Sequence, residues 1–146
     1  MIGRILHVGI TVSDIDRSID FYKNILGLKL ESRTFMEGES TDILFGGKNM
    51  RAELAYLNGG DNINCPPVEI ICFSKNPCES QESRLHQTSI SEICFEVDDI
   101  FSEYERLRKL GVEFISEPQE FLIDGVKSKA VYFKDPDGII LELAEY

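Results

Sequence analysis

The sequence predicts an α+β chain of two tandem βαβββ modules, and three observations carry that expectation. The chain repeats itself at long range, each copy passes from strand-like alternation to helical spacing, and glycine-rich turns punctuate the segments after each helix. The repeat sets LHVGITVSDIDRSIDFYKNILGLKL, from Leu6, over SEICFEVDDIFSEYERLRKLGVEF, from Ser91. With His7 over Glu92, an offset of 85, Val12 falls on Val97, Asp14 on Asp99 and Ile15 on Ile100. One residue fewer in or after the second helix places Gly27 over Gly111.

Along the chain, Ile5 to Val12 comes first; it is β-branched and roughly alternating, so it reads as a strand. Ser13 with Asp16 resembles a capping box. Ile15, Ile19, Tyr22 and Ile25 or Leu26 then recur at helical spacing, and Gly27 ends the helix. Strands are expected at Leu28–Thr34, Asp42–Phe45, Arg51–Leu57 and Val68–Phe73, joined by GlyGly, AsnGlyGly and ProPro. In the second copy Asp98 or Asp99 caps a helix with the stripe Ile100, Tyr104 and Leu107, and Gly111 stops it. Further strands are expected at Val112–Ser116, near Phe121, at Ser128–Lys134 and at Ile139–Ala144, the last two joined by the turn AspProAspGly. Residues 1–146 are expected to form a single domain, with module 1 at about 1–73, an exposed linker at about 74–88 and module 2 at about 89–146. Neither module can bury its sheet alone, so curved mixed sheets around a concave cup, with helices outside, are the expected packing.

Charge narrows the partners. A net charge of −11 argues against nucleic acid and against anionic membrane surfaces, both of which require clustered Lys and Arg. No apolar run reaches the length of a membrane helix, and the opening MIGRILHVGITV lacks the apolar block of a signal peptide, so a cytoplasmic location is expected. Cys65, Cys72, Cys78 and Cys94 form no CxxC pair. Cys72 and Cys94 read as buried thiols, and all four cysteines are expected in the reduced state.

These segments, with SEICFEVDDI leading to KLGVEF and with YFKDPDGIILELAEY at the end, resemble the vicinal oxygen chelate superfamily, the fold of glyoxalases, bleomycin-resistance proteins and extradiol dioxygenases. The resemblance covers nearly the whole chain. It implies a divalent metal ion (Mn, Fe, Co, Ni, Mg or Zn) held by two strand positions from each half. Carried over residue by residue, those positions are His7, Glu69 in VEIICF, Glu92 where the family usually has His, and Glu142 in ILELAEY. The repeat supports the same four: His7 pairs with Glu92, Glu69 pairs with Glu142, and both of the latter interrupt apolar strands, where a charge needs a partner.

The bland readings are an outward Glu on a half-exposed strand and a hydrogen-bonded histidine. Glu92 either ligates, giving a hard set of one imidazole and three carboxylates, or points elsewhere with the metal site lost. His86 belongs to the polar linker. If a metal binds, the resemblance implies a glyoxalase-type lyase or isomerase in which an ion takes two vicinal oxygens of a small substrate and stabilises the enolate or enediolate, with Glu142 or Glu69 as the base. Glutathione is not expected to bind in the usual way, because Thr11 and Phe73 stand where glutathione-binding members carry Arg and Asn. Arg33, Lys48 and Arg51 are candidates for an anionic substrate or are surface charges. Phe35, Phe45, Tyr56, Phe73, Phe95, Phe121 and Tyr132 line the cup or form core. The other reading is a metal-free sequestering protein of the bleomycin-resistance type. An extradiol dioxygenase is less favoured, since it would need a second His. A homodimer is implied by resemblance.

Overall fold

The computed structural model describes residues 3–60, 67–75, 78, 81–123 and 125–146, with backbone only at 123. Cys65 and most of the loop expected between Asn58 and Asn64 lie outside the described residues. The chain divides into two compact units, Met1–Ser80 and Gln81–Tyr146. The boundary falls inside the predicted linker.

The first unit runs β1 (Val8–Thr11), α1 (Ile15–Asp20), β2 (Lys29–Glu37), α2 (Glu39–Phe45), β3 (Arg51–Asn58) and β4 (Val68–Phe73). Its sheet has the order β1-β4-β3-β2, with β1 parallel to β4 and the other neighbours antiparallel. The second unit runs β5 (Ile93–Glu96), α3 (Ile100–Lys109), β6 (Gln119–Ile123), β7 (Val126–Lys134) and β8 (Ile140–Glu145), and its sheet repeats the pattern as β5-β8-β7-β6. Both are open, mixed, four-stranded sheets.

Helices α1 and α3 each begin where an Asp accepts a backbone N–H. Asp14 Oδ1 takes Arg17 N at 3.0 Å, and Asp99 Oδ1 takes Ser102 N at 3.0 Å. The cap of α1 is thus Asp14, one residue later than the Ser13–Asp16 box predicts. Helix α1 continues into a π-helical turn, Phe21–Ile25, which brings Phe21 and Tyr22 inward together. Gly27 and Gly111 end the two helical segments at φ +84° and +85°, a conformation that side chains with a Cβ resist. In the first unit α1 packs against β3 and β4. Val12, Ile15, Tyr22, Leu57 and Ile70 are buried there. In the second unit Ile100, Leu107, Val131, Phe133 and Leu141 are buried. Each such side chain is worth about 1.5–3 kcal/mol on burial.

Two predicted strands are corrected. Asp42–Phe45 lies in helix α2. Four residues are too few to separate a period of 2 from 3.6. The Asp42 carboxylate instead accepts Asn49 N and Met50 N, at 2.9 and 2.7 Å, and Gly46 closes the helix at φ +67°. GlyGly is therefore a helix stop here and not a hairpin turn. Val112–Ser116 makes one isolated bridge, Phe114 with Phe133, and the regular strand begins only after Pro118. The first unit has an irregularity at the equivalent place, a register shift between Leu30 and Ser32. The first strand is also shorter than predicted, leaving Ile5 and Leu6 exposed.

Among the described residues no helix is long and apolar enough to cross a membrane.

Candidate functional site

Strand alternation sorts the first sheet into two faces. Ile10, Val12, Ile70 and Leu57 face α1. The opposite face carries Gly9, Tyr56 and Glu69, because Gly9 and Tyr56 are the register partners of Glu69 on either side. His7 precedes β1, and its Nε2 stands 3.3 Å from Glu69 Oε2. Tyr56 donates its hydroxyl hydrogen to Glu69 Oε1. Both oxygens of a carboxylate that is only 6% exposed are therefore engaged. The Tyr56 hydroxyl is pushed up to about 12, first by its hydrogen bond to Glu69, then by desolvation and the carboxylate charge. The His7 and Tyr56 rings meet edge to face, with centroids 5.8 Å apart. Gly9 leaves the room this arrangement needs, since a Cβ there would stand 3.3 Å from Glu69 Oε2.

The second sheet repeats the design. Glu142 in β8 has Cys94 as its register partner on one side and Tyr132 on the other. Tyr132 is raised by desolvation first, then by the charges of Glu142 and Glu92 and its hydrogen bond to Glu142. The Cys94 thiol is pushed up to about 12, chiefly by desolvation and then by its hydrogen bond to Glu142. Glu92 is half-buried just before β5. The face turned away from Glu142 belongs to α3: Glu145 accepts Ile100 N at 2.9 Å, and Lys129 sits over Phe101.

The predicted residues thus resolve by unit. His7 and Glu69 are brought together in the first, and Glu142 sits in an equivalent setting in the second. Among the described residues no three His, Cys, Asp or Glu side chains form a group able to hold a metal ion. The donors present, one imidazole and carboxylates with an aligned hydroxyl, suit a hard divalent cation. His7 and Glu69 already converge on one point.

The buried setting expected for both thiols is corrected, and the remaining candidates resolve as follows. Cys94 is an open-face thiol and Cys72 is half-buried, its Sγ 3.7 Å from Ser13 O. Cys94 lies on the edge strand β5, on the face that carries Glu142, whereas Cys72 lies near the end of β4 on the face toward α1. Phe35 and Phe95 lie on the helix side by register, not beside the carboxylates. Phe73 packs edge to face on Phe45. Arg33 is committed to Glu53 and Asp16, at 2.6 Å each, and these hydrogen bonds raise its pKa. Arg51 pairs with Glu37 and lies over Phe35, whereas Lys48 is an exposed surface charge. His86 is exposed. Sequence reasoning missed the tyrosines as carboxylate partners. The signal was present: AlaTyrLeu and ValTyrPhe hold corresponding places in the repeat.

Comparison with known proteins agrees with this duplicated architecture. The Bacillus cereus structure described as a glyoxalase family protein superposes with a TM-score of 0.86 at 26% identity, covering 99% of this chain and 95% of that one. A probable lactoylglutathione lyase of Vibrio cholerae is 26% identical, over 97% of this chain and 90% of its own length. The mitochondrial methylmalonyl-CoA epimerase of Dictyostelium discoideum is 30% identical, over 99% of this chain and 79% of its own. A family profile matches residues 4–143, and the chain belongs to the Glyoxalase/Bleomycin resistance protein/Dioxygenase superfamily.

Proposed function

We propose that this chain is a glyoxalase-type, metal-dependent lyase or isomerase that moves a proton on a small, vicinally oxygenated substrate. The observation that most supports this is the Glu–Tyr pair, present at equivalent registers in both sheets, with His7 3.3 Å from the first of the two carboxylates. The two enzyme relatives point the same way. Lactoylglutathione and methylmalonyl-CoA are both thioesters with a C–H beside the thioester carbonyl, and this chain is similar to a probable lyase of one and an epimerase of the other.

His7 and Glu69 in the first unit, and Glu92 and Glu142 in the second, are the residues proposed as metal ligands. When bound, the ion supplies Lewis acidity toward two neighbouring oxygens of the substrate. The side chains divide the remaining work. Glu69 is buried with both oxygens engaged, which suits a fixed ligand. Glu142 is half-exposed, which suits a base that takes a proton from carbon and returns it. Tyr132, directly across from Glu142, orients that carboxylate. Thr11 and Phe73 supply neither of the charged and amide groups used for glutathione, so a different small substrate is proposed.

The test is solvent exchange. Metal-loaded protein in D2O, given 2-hydroxyacyl thioesters and 2-hydroxy ketones, is expected to put deuterium on the carbon beside the carbonyl, as read by NMR. Glu142→Gln is expected to slow this about 10²–10⁴-fold. Tight ligand binding without added metal and without exchange would instead support a sequestering protein of the bleomycin-resistance type.

A further inference from the structure

The repeat gives its two carboxylates the same tyrosine on one side but different neighbours on the other. Tyr56 stands opposite Glu69, and Tyr132 opposite Glu142. On the other flank the register partner of Glu69 is Gly9, and that of Glu142 is Cys94. Gly9 and Cys94 are the same position of the repeat, at the offset of 85 that sets His7 over Glu92. In the first unit the bare glycine leaves Glu69 Oε2 to an imidazole. His7 Nε2 stands 3.3 Å from that oxygen, and a Cβ on Gly9 would stand equally close.

The second unit has no imidazole at that place. Glu92 occupies it, and an ionised carboxylate has no hydrogen to donate. Cys94 supplies the donor instead, through a thiol hydrogen-bonded to Glu142. Tyr132 is hydrogen-bonded to the same carboxylate from the strand on its other side. The terminal torsion of a glutamate is broad, so a single donor leaves its oxygens free to swing. Donors from both flanks restrict that swing. Packing gives Cys94 little else to do, because it is exposed on the edge strand β5.

We infer that Cys94 is a positioning residue for Glu142: its thiol and the Tyr132 hydroxyl, one from each neighbouring strand, hold the carboxylate in the orientation from which it exchanges a proton with the substrate's carbon. This deepens the proposed function, in which Glu142 is the base, and rests on it. Cys94 acts through the carboxylate alone. The proton passes from carbon to a Glu142 oxygen and back, and the S–H bond neither forms nor breaks. A neutral donor suits that task, since it fixes the carboxylate without the opposite charge that would make it a weaker base.

Two measurements test this. The first is the thiol S–H stretch in the infrared, with the Cys94 band isolated by subtracting the Cys94→Ser spectrum. Glu142→Gln should move that band to higher frequency, because an amide oxygen accepts more weakly than a carboxylate. An unmoved band overturns the inference, and neither metal nor substrate enters the measurement. The second is deuterium exchange by Mn²⁺-loaded protein on the 2-hydroxyacyl thioesters and 2-hydroxy ketones. Cys94→Ala should lower kcat about tenfold and leave KM unchanged. Cys94→Ser, which restores a donor, should recover most of the loss, whereas Cys94→Val, which fills the space without one, should not. Full activity in Cys94→Ala, or equal rescue by Ser and Val, overturns the positioning role and leaves Glu142 as the base. No exchange in the wild type overturns the proposed function itself, so the two failures are told apart.

Discussion

Glu69 is held from two sides, by a tyrosine hydroxyl and an imidazole, and that arrangement should report itself in the Tyr56 titration. The hydroxyl is raised to about 12 chiefly because ionising it would give up its hydrogen bond to Glu69, and then by desolvation and the carboxylate charge. The unfolded chain has no such neighbour, and there a tyrosine ionises near 10. A group whose pKa is higher in the folded state stabilises the fold fully below its unfolded value, and that contribution is lost as pH rises through the folded value. The Tyr56–Glu69 contact is thus complete below about pH 10 and disappears by about pH 12. Ultraviolet titration of Glu69→Gln should show one tyrosine returning toward the ordinary range; an unchanged curve would mean that the contact does not form in solution. The carboxylates themselves were legible in the sequence, because a charge in an apolar strand is conspicuous. Their tyrosine partners were not. A tyrosine in a β-rich run is compatible with core, surface or site, and only the cross-strand register of Tyr56 with Glu69 decides which.

At the scale of elements, helix α3 depends on two acidic groups. Asp99 caps it, and the Asp99 pKa is lowered mainly by the Ser102 N–H, then by the Ser102 hydroxyl. Glu145 joins β8 to the same helix end and is lowered by Ile100 N–H, then by Lys129, whose Nζ is 2.5 Å away. Lowered pKa values reverse the sign used for Tyr56. Their contribution is present above the ordinary carboxylate range, near 4, and is lost as pH falls through the depressed values. Acid titration monitored by hydrogen exchange should therefore release α3 amides below about pH 4 in the wild type. Asp99→Asn with Glu145→Gln should flatten that acid step, whereas an equal step in the double variant would place the lability elsewhere. The helices flanked by Asp and Gly were readable in sequence because both ends carry their own chemistry. Helix α2 was not, since Asp42 acts on backbone several residues downstream and its short apolar run has no distinctive period. The segment 112–116 failed for the opposite reason. It has strand-like residues but holds only one bridge before Pro118 interrupts it.

Across the molecule, duplication is the organising fact. Two sheets with the same strand order each present a carboxylate and a tyrosine at matching registers, and they differ in the carboxylate's partner on the other flank, Gly9 in one and Cys94 in the other. A net charge of −11 adds a field that concentrates cations and repels polyanions. The repeat, the fold class and the four strands that carry or adjoin the candidate residues were visible from spacing alone, whereas the chemistry depends on the side chains those strands carry. The most direct measurement is the metal content of protein purified without chelator, by elemental analysis, for wild type, His7→Ala and Glu142→Ala. The account predicts about one divalent ion per chain in the wild type and a loss of most of it in both variants. A wild type with no bound metal, and no thermal shift on adding Mn²⁺, Co²⁺, Ni²⁺, Zn²⁺ or Fe²⁺, would contradict it.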